Sequence, residues 1–560
     1  MAKQILLREP AREALLRGMQ TVAEVVGATL GPKGQTVVLS RPMGAALITK
    51  DGVTVAKNIS LPDPWENEGA KLIQEVAHKT NQEAGDGTTA ATILTYAILK
   101  QGIRQITAGA DPQAIERGIR DAVKVVVAEL KSLAIPVKQS DVERLSAVAT
   151  IAANGDTEMG SVIGRAISHA GVEGSYSLDE GVTDEMDLEI AEGLQFDRGL
   201  MDRSFATYPG GAVLSPCNIF VTDRRLIDLK ETAQILQTYL ASNRTVPLLI
   251  IAEDVEQGAK QTLVVNNGKV LQVCPVRTPG TGPSKKDELQ DIAVYTGARA
   301  FLTSNGDEPA NIKFEDLGSA DRVLITGHRT TIVGGHGSSL AIEARKDDLR
   351  ARISDPKTTE FDRAHAEKRL AALSSSIAVV KLGKSIHSKL LEKRDRAEDS
   401  INATRGALEE GIVPGGGMAL LRCMPALRKS IESLEGDAKV GAQIIFQSLA
   451  APLKKIADNS GANGEVVLAA AFDRFAEESY SLLVSVSELN LGYDADVGGW
   501  RDMVAAGIVD PVKVIRIALQ NSAELAGLLL TSAALVVDIP ESKPPASPYN
   551  LNSGFAGGNR

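Results

Sequence analysis

Apolar residues recur with helical spacing near the start of this chain. Leu15, Met19, Val22 and Val26 are separated by four, three and four residues, which predicts an amphipathic helix over residues 11–27. The same kind of pattern continues beyond it. It predicts a hairpin of two strands at residues 36–40 and 46–49. It also predicts a further helix at residues 114–133.

The pattern changes after Pro136. Two short helices are predicted over residues 140–170, and strands then alternate with helices from Leu188 to Leu373. The apolar run at residues 247–252 is typical of a buried parallel strand. Further strands are predicted at residues 270–276, 322–326 and 330–333, followed by a solvated helical pair over residues 340–373. This segment is predicted to be an inserted α/β domain.

Helical patterns return in the last third of the chain. A strand over residues 377–382 and a long charged helix over residues 385–410 precede a break at Pro414-Gly-Gly-Gly417. The order helical, mixed, helical predicts a multidomain α+β protein in which both chain ends build one domain. The tail, residues 541–560, is rich in Pro, Ser, Asn and Gly and is predicted to be disordered.

Composition narrows the class of protein. The 560 residues carry a formal net charge of −10, which argues against nucleic acid or an anionic membrane as the main partner. We expect no membrane span, no secretory signal and a cytoplasmic location. The three cysteines are far apart and predict neither a disulfide framework nor a metal site. His328 and His336 share a Gly-rich loop, but no further ligands complete a zinc site.

The stretch from Gly85 to Thr92 carries candidate chemistry. Asp86 and Gly87 precede Thr88, Thr89 and an apolar periodic run, which predicts a turn into a helix N-terminus. Free N–H groups there favour phosphate, and a carboxylate beside phosphate needs a cation. One interpretation is a nucleotide site with Mg²⁺ on Asp86. The alternative is an ordinary Asp/Gly turn capped by Thr.

Three other stretches suit the same chemistry. Thr29-Leu-Gly-Pro32 is a loop able to wrap phosphate, and Lys50-Asp-Gly52 brings a cation and a carboxylate to a strand end. Gly415-Gly-Gly417 allows close backbone approach to a ligand. None of them is a Walker A loop. Each is weak alone, and their specificity lies in their combination and order along the chain.

In this order the motifs resemble those of the group I chaperonins, the GroEL type or 60 kDa chaperonin family, over essentially the whole chain. The matching stretches are Ala28–Gly34, Thr49–Ala56, Ala84–Thr89, Glu192–Gly199, Pro247–Glu256, Glu398–Arg405, Glu409–Gly417 and Gly507–Pro511. The resemblance implies an ATP-dependent molecular chaperone that encloses non-native proteins in a ring cavity, with ATP hydrolysis timing the cycle.

The resemblance also implies a domain plan and an assembly. It implies a mostly helical equatorial ATP-binding domain at residues 1–134 and 411–560. An intermediate hinge domain is implied at residues 135–191 and 378–410, and an α/β apical domain at residues 192–377. Two stacked heptameric rings and a GroES-type lid are expected, with ATP and Mg²⁺ as cofactors and K⁺ as a further candidate cation.

Site residues are carried over by position. The resemblance implies hydrolytic roles for Asp51 and Asp399, and Mg²⁺ on Asp86. It implies ATP contacts at Thr29, Leu30, Gly31, Pro32, Lys50, Asp86, Gly87, Thr88, Thr89, Ala90, Gly416, Asp494, Ala495 and Asp510. It implies client and lid contacts at Leu200, Ser204, Phe205, Leu236, Leu263, Val264 and Val265.

Several positions depart from the family pattern. Ala90 replaces a third Thr, and Asp494 stands where Asn is common. Changes in the apical groove and between subunits are expected at Ala233, Lys260, Thr281 and His387. They favour an alternative: a divergent chaperonin paralogue with restricted clients or a mainly binding role. A small-molecule kinase is disfavoured because no acceptor site is visible.

Overall fold

The structure is a computed structural model that describes most of the chain. The described residues are 3–40, 46–172, 174–180, 183–208, 211–227, 229–242, 246–269, 271–280, 282–355, 358–384, 387–480 and 490–538. The predicted disordered tail and Thr281 lie outside these residues, as does the side chain of His387.

The chain divides into two compact units. The first, here the terminal unit, comprises Met1–Lys138, Ala147–Gly160 and His387–Arg560. The second, here the central unit, comprises Gln139–Ser146 and Ser161–Ile386. Both chain ends therefore contribute to one unit. The structure confirms a multidomain α+β fold, while the three predicted domain ranges stay a prediction.

The first third of the chain is mostly helical. Its elements are β1 (Lys3–Leu7), α1 (Arg8–Gly27), β2 (Val37–Leu39), β3 (Leu47–Thr49), α2 (Gly52–Lys57), α3 (Pro64–Ala84), α4 (Thr88–Thr107), α5 (Pro112–Ser132), α6 (Val142–Ala152) and α7 (Thr157–Ala170). The predicted hairpin is confirmed, because β2 pairs antiparallel with β3.

Local capping explains where these helices begin. Asp63 and Asp111 accept backbone hydrogen bonds at the N-termini of α3 and α5, and a proline follows each of them. α3 ends at Gly85, whose φ of 72° is the left-handed conformation that glycine adopts without strain. The turn between α3 and α4 is thus set by local chemistry.

The middle of the chain builds a mixed sheet with flanking helices. Its elements are β4 (Ser175–Glu180), β5 (Asp187–Phe196), β6 (Ala212–Leu214), β7 (Cys217–Thr222), β8 (Arg225–Leu226), α8 (Leu229–Ser242), β9 (Leu248–Ala252), β10 (Asp254–Val255), α9 (Gln257–Asn266), β11 (Val273–Arg277), α10 (Pro283–Thr296), β12 (Ala300–Phe301), β13 (Gly318–Ile325), β14 (Thr330–Gly335), α11 (Ser339–Ser354), α12 (Glu360–Leu373) and β15 (Ser375–Leu382).

The strand order in the main sheet is β11-β9-β7-β13-β14-β5-β15-β4. β9 is parallel to both β7 and β11 and is fully buried, which confirms the prediction for residues 247–252. Buried parallel strands need apolar side chains on both faces, and this explains the continuous apolar run.

The helical pair α11 and α12 is mostly exposed, as predicted, but one charged face is buried. Arg369 of α12 is only 3% exposed and donates from Nε and Nη2 to Asp291, at 2.6 and 2.9 Å. Arg345 of α11 donates to the same carboxylate at 2.7 Å. A charged helix face can be buried where its ions are paired, so composition alone misjudged this face.

The last third returns to the terminal unit. Its elements are α13 (His387–Glu410), β16 (Ile412–Pro414), α14 (Met418–Arg422), α15 (Met424–Glu432), α16 (Gly436–Ser448), α17 (Ala451–Asn459), α18 (Gly464–Tyr480), β17 (Leu491–Asp494), β18 (Gly499–Asp502), β19 (Val509–Pro511), α19 (Val512–Leu530) and β20 (Ala534–Asp538).

Both chain ends share one hydrophobic core in the terminal unit. Met19 of α1 and Ile98 of α4 are buried in the same cluster as Ile445 of α16 and Leu519 of α19. At the edge, β1 pairs antiparallel with β20. These long-range contacts bring the glycine-rich loops from both ends of the sequence to one side of the core.

Candidate functional site

A cavity of about 540 Å³ lies within the terminal unit where these loops meet. Its walls come from the ends of α1 and β3, the turn before α4, helix α13, the loop after β16, strand β17 and strand β19. All the predicted nucleotide and hydrolytic residues line it: Thr29, Leu30, Gly31, Pro32, Lys50, Asp51, Asp86, Gly87, Thr88, Thr89, Ala90, Asp399, Gly416, Asp494, Ala495 and Asp510.

The N-terminus of α4 faces the cavity with free donors. Gly87 is the N-cap residue, and no side chain caps the helix. The backbone N–H groups of Thr88, Thr89 and Ala90 have no acceptor among the described residues. Such a helix end binds anions through its N–H groups and its dipole.

Gly87 is required here for two reasons. Its φ is 81°, and a Cβ at this position would lie 2.6 Å from Cγ1 of Val514. The backbone at the start of α4 can therefore pack tightly on α19 only without a side chain. This packing aligns the free N–H groups with the cavity.

Asp51 is held firmly at the end of β3. Its carboxylate caps α2, accepting from the N–H groups of Val53 at 3.1 Å and Thr54 at 2.8 Å. The Asp51 N–H donates to Thr49 Oγ1 at 3.0 Å. The carboxylate is thus preorganised on the cavity wall.

The loop after α1 is fixed by a residue that the sequence did not point to. Asn459 Nδ2 donates to the carbonyl oxygens of Gly27 at 2.9 Å and Leu30 at 2.8 Å. The Thr29 hydroxyl donates to Val26 O at 2.8 Å. Asn459 is distant in sequence and has no motif, so only the folded chain reveals it.

Several carboxylates at the cavity are partly buried close to one another. Burial raises the pKa of Asp86 to about 6, with a further increase from the charge of Asp51. Burial and then the charge of Asp86 raise the pKa of Asp510 to about 7. Burial, with Asp86 and Asp51 next in importance, also raises the pKa of Asp399 well above its ordinary value.

This crowding of carboxylates suits a cation at Asp86. Among the residues that the structure describes, no three or more His, Cys, Asp or Glu side chains are grouped to hold a metal ion by themselves. Mg²⁺ commonly takes one or two carboxylates and completes its shell with phosphate and water. The donor set therefore fits Mg²⁺ brought with a nucleotide, with Asp86 as the protein ligand.

On the far side of the cavity, Asp494 is engaged by a neighbour. It is 2% exposed and forms an ion pair with Arg501 Nη2 at 2.5 Å. It also accepts from the N–H of Asp496 at 2.9 Å. The negative charge of Asp494 is thus paired with Arg501. The apolar residues Met503 and Ile508 also line this side and were not predicted.

Helix α13 brings Asp399 to the cavity from far along the chain. Ser400 Oγ donates to Ala149 O of α6 at 3.1 Å. Arg396 Nη1 lies 3.7 Å from Asp156 Oδ2, which adds an ion pair between α13 and the loop after α6. Asp395, one turn before Asp399, also lines the cavity and was not predicted.

The predicted client residues lie in the central unit and are only partly exposed. Phe205, Leu236 and Leu263 are buried in the hydrophobic core, because their side chains pack against the sheet. In this conformation they do not form the surface that was predicted. Val265 is 62% exposed, Ser204 is exposed, and Leu200 and Val264 are half-buried.

A polar contact crosses this region. Lys260 of α9 forms an ion pair with Asp202 in the loop after β5. The Lys260 ammonium and the Ser204 N–H and hydroxyl hold the pKa of Asp202 well below its usual range. Asn267 Nδ2 donates to Ser204 O at 3.3 Å. These contacts tie the loop to α9.

In the described part of the chain, no helix combines the length and apolar character needed to cross a membrane. His336, considered above as a metal ligand, instead has Ser319 Oγ 3.0 Å from Nδ1 and Asp321 Oδ1 2.9 Å from Nε2.

Comparisons with known proteins agree with the fold. The model of the TCP-1/cpn60 chaperonin family matches residues 22–540. Two similar crystal structures are of the chaperonin gp146 from the bacteriophage EL 2 (Pseudomonas aeruginosa) in the presence of ATP-BeFx. Each is 24% identical and covers 96% of this chain and 99% of that chain, with TM-scores of 0.63 and 0.59 for the two crystal forms.

Proposed function

Because the chain belongs to the TCP-1/cpn60 chaperonin family, we propose that it is an ATP-dependent chaperone of the group I, GroEL type. It would bind non-native proteins and enclose them in a ring cavity, with ATP hydrolysis timing the cycle. The observation that carries this proposal is that one cavity collects every predicted nucleotide residue. Helix α13 adds Asp399 from far along the sequence.

The cavity offers distinct groups for each part of ATP. We propose that the free N–H groups of α4, the Thr29–Pro32 loop and Lys50 bind the phosphates. Gly416, Asp494, Ala495 and Asp510 would line the adenosine side. Mg²⁺ held by Asp86 would neutralise phosphate charge, and K⁺ is a further candidate cation. The similar phage chaperonin was crystallised in the presence of ATP-BeFx, which supports nucleotide binding.

We assign hydrolysis to Asp51 and Asp399. Asp51 is fixed by its cap bonds, while Asp399 is on a helix whose docking brings it to the cavity. A carboxylate with a raised pKa accepts a proton from water more readily near neutral pH. Hydrolysis would then depend on α13 being docked, as in other gated sites.

The proposal includes an assembly. We propose equatorial, hinge and apical domains at the ranges predicted above, two stacked heptameric rings, a GroES-type lid and a cytoplasmic location. Exposed apolar residues on the paired strands of the terminal unit support subunit contacts. These residues are Ile5, Leu7, Val38, Ile48 and Val536.

A second candidate function is a divergent chaperonin with restricted clients or a mainly binding role. It is favoured by the Lys260–Asp202 ion pair and by the burial of Phe205, Leu236 and Leu263. Both features reduce the apolar surface offered to a non-native chain.

One experiment separates these functions. ATP hydrolysis is measured together with the yield of a denatured model protein refolded with ATP and a GroES-type lid. A folding chaperone gives ATP-dependent refolding of general clients. ATP hydrolysis with capture but no refolding supports the second candidate, and absence of ATP binding overturns both.

A further inference from the structure

Helix α13 presents a row of carboxylates to the nucleotide cavity. Glu392, Asp395 and Asp399 all line it, and their spacing of three and four residues places them on one helix face. Of these three carboxylates, Asp399 is the one with a proposed role in hydrolysis. Asp395 therefore lies at the same wall without an assigned role.

Asp51 adds a further negative charge to the same cavity. Its carboxylate is held in place by its two cap bonds. Burial raises the pKa of Asp395 to about 6, and the charge of Asp51 is the next contribution. Asp395 and Asp51 are thus two carboxylates of like charge that line the same cavity.

The arginines near Asp395 pair with other carboxylates, although the charge of Arg394 still lowers the pKa of Asp395, and Lys50 also lines the cavity. Arg394 lies 3.5 Å from Glu398, and Arg396 is 3.7 Å from both Glu392 and Asp156. Arg501 is paired with Asp494 on the far side. Within the described residues, Asp395 forms no ion pair and no side-chain hydrogen bond. Glu392 and Glu398 on its own helix add to the negative charge around it.

Other contacts keep α13 in place. The bond from Ser400 to Ala149 and the bond from Arg396 Nη1 to Ala153 O, at 3.4 Å, attach the helix to the end of α6. These contacts hold Asp395 near Asp51 although the two like charges repel each other. Docking of α13 therefore depends on two opposing effects. The hydrogen bonds to the end of α6 favour it, and the charge repulsion between Asp395 and Asp51 opposes it.

We propose that Asp395 is a positioning residue that weakens the docking of α13 and so limits how long Asp399 stays at the nucleotide cavity. The inference rests on the proposed ATPase function and adds its regulation. Asp395 does not have to touch ATP for this role. It makes the docked helix release readily, which a cycle of closure and opening requires.

The chain offers a matched control. Glu398 is on the same helix, is exposed and does not line the cavity. Asp395→Asn and Glu398→Gln both remove one negative charge with almost no change of shape. Any difference between them reports the position of Asp395 rather than the net charge of the helix.

Docking is measured by hydrogen exchange of the α13 amides in the nucleotide-free, full-length protein. Asp395→Asn is expected to slow their exchange about tenfold, whereas Glu398→Gln stays within about twofold of wild type. The KM for ATP is expected to fall about tenfold in Asp395→Asn, with kcat changed by less than about threefold. Binding of a non-hydrolysable ATP analogue should tighten in parallel.

Two results would overturn the inference. One is α13 exchange and KM in Asp395→Asn equal to those of wild type. The other is a loss of kcat of about a hundredfold, as expected for a catalytic carboxylate. Asp395→Ser repeats the test if the Asn variant fails to fold, which thermal unfolding reveals. If the wild type binds no ATP, the proposed function fails, while the nucleotide-free exchange still tests the docking balance.

Discussion

The carboxylates of Asp51, Asp86 and Asp399 come from three distant stretches of sequence and line one cavity. Their surroundings differ. Asp51 caps a helix, Asp86 stands before the uncapped N-terminus of α4, and Asp399 is on a helix that docks through Ser400. The neighbours of each aspartate thus give three identical side chains different environments.

At this scale, Asp399→Ala is expected to bind ATP normally and to hydrolyse it at least about a hundredfold more slowly, because it lacks the proposed base. Steady-state ATP hydrolysis and analogue binding provide the two measurements. Glu398→Gln, at the preceding residue, should keep the wild-type rate of ATP hydrolysis. An unchanged rate in Asp399→Ala would remove this residue from the mechanism.

Asp510→Asn should change the pH dependence of stability. The pKa of Asp510 is raised to about 7 in the folded chain, so its protonated form is favoured there. The contribution of protonated Asp510 to the free energy of unfolding is fully present below the unfolded pKa of about 4. It is lost as pH rises towards 7. Asp510→Asn does not lose this contribution. Its free energy of unfolding should therefore rise by about 2 kcal/mol relative to that of wild type as the pH goes from 5 to 8.

Urea unfolding without nucleotide measures this effect. Trp65 and Trp500 are the two tryptophans of the chain, and both belong to the terminal unit, so their fluorescence reports the unit that contains Asp510. Asp473→Asn, on the exposed surface of α18, is the control. A gain that is the same at pH 5 and pH 8 would show that Asp510 does not titrate in this range.

At the scale of elements, α9 and the loop after β5 carry most of the residues predicted to bind clients. The Lys260–Asp202 ion pair joins them, and Val265 stays exposed beside it. Partly exposed ion pairs contribute little free energy, so this contact affects the chemistry of the surface more than its stability.

Lys260→Leu is accordingly expected to change the free energy of unfolding by less than about 1 kcal/mol. It should increase capture of a denatured model protein several-fold, because it replaces a charge with apolar surface. Co-sedimentation of the denatured protein measures capture. Lys269→Leu is the matched control just beyond α9, and equal capture by both variants would argue against a role for the ion pair.

At the scale of the whole molecule, the β2–β3 hairpin is the clearest unpartnered surface in the described part of the terminal unit. Val38 and Ile48 are paired across the hairpin and are 66% and 57% exposed. Apolar side chains on a short, open strand pair commonly mark a contact with another chain.

Val38→Lys combined with Ile48→Lys should therefore prevent ring assembly, because burying two unpaired ammonium groups is costly. Analytical ultracentrifugation should show single chains in place of rings. Val466→Lys, at an equally exposed position on α18, should assemble as wild type does. Rings formed by the double variant would exclude this hairpin as an assembly contact.

Much of the local structure was predictable because it depends on neighbouring residues. The helix over residues 11–27, the hairpin and the buried strand near Pro247 follow from periodicity and flanking turn residues. The loops proposed to bind nucleotide stood out for a related reason, since each carries its candidate chemistry in a few adjacent residues. The family resemblance then placed Asp399 with them.

The residues that were missed depend on long-range packing. Asn459 fixes a loop more than four hundred residues before it, and Arg501 neutralises the unusual Asp494. The charged pattern of α12 gave no sign that Arg369 would be buried against Asp291. Contacts between residues so far apart in sequence produce no periodic pattern from which they could be predicted.

The sequence by itself determined the elements, the order helical, mixed, helical, and the residue types available at each loop, because capping, turns and periodicity act over a few residues. Only the tertiary structure decided which carboxylates share a cavity, which apolar residues of the central unit are buried, and which cations are already paired. Burial and charge pairing are properties of groups that meet across the fold, so they exist only once the chain is folded.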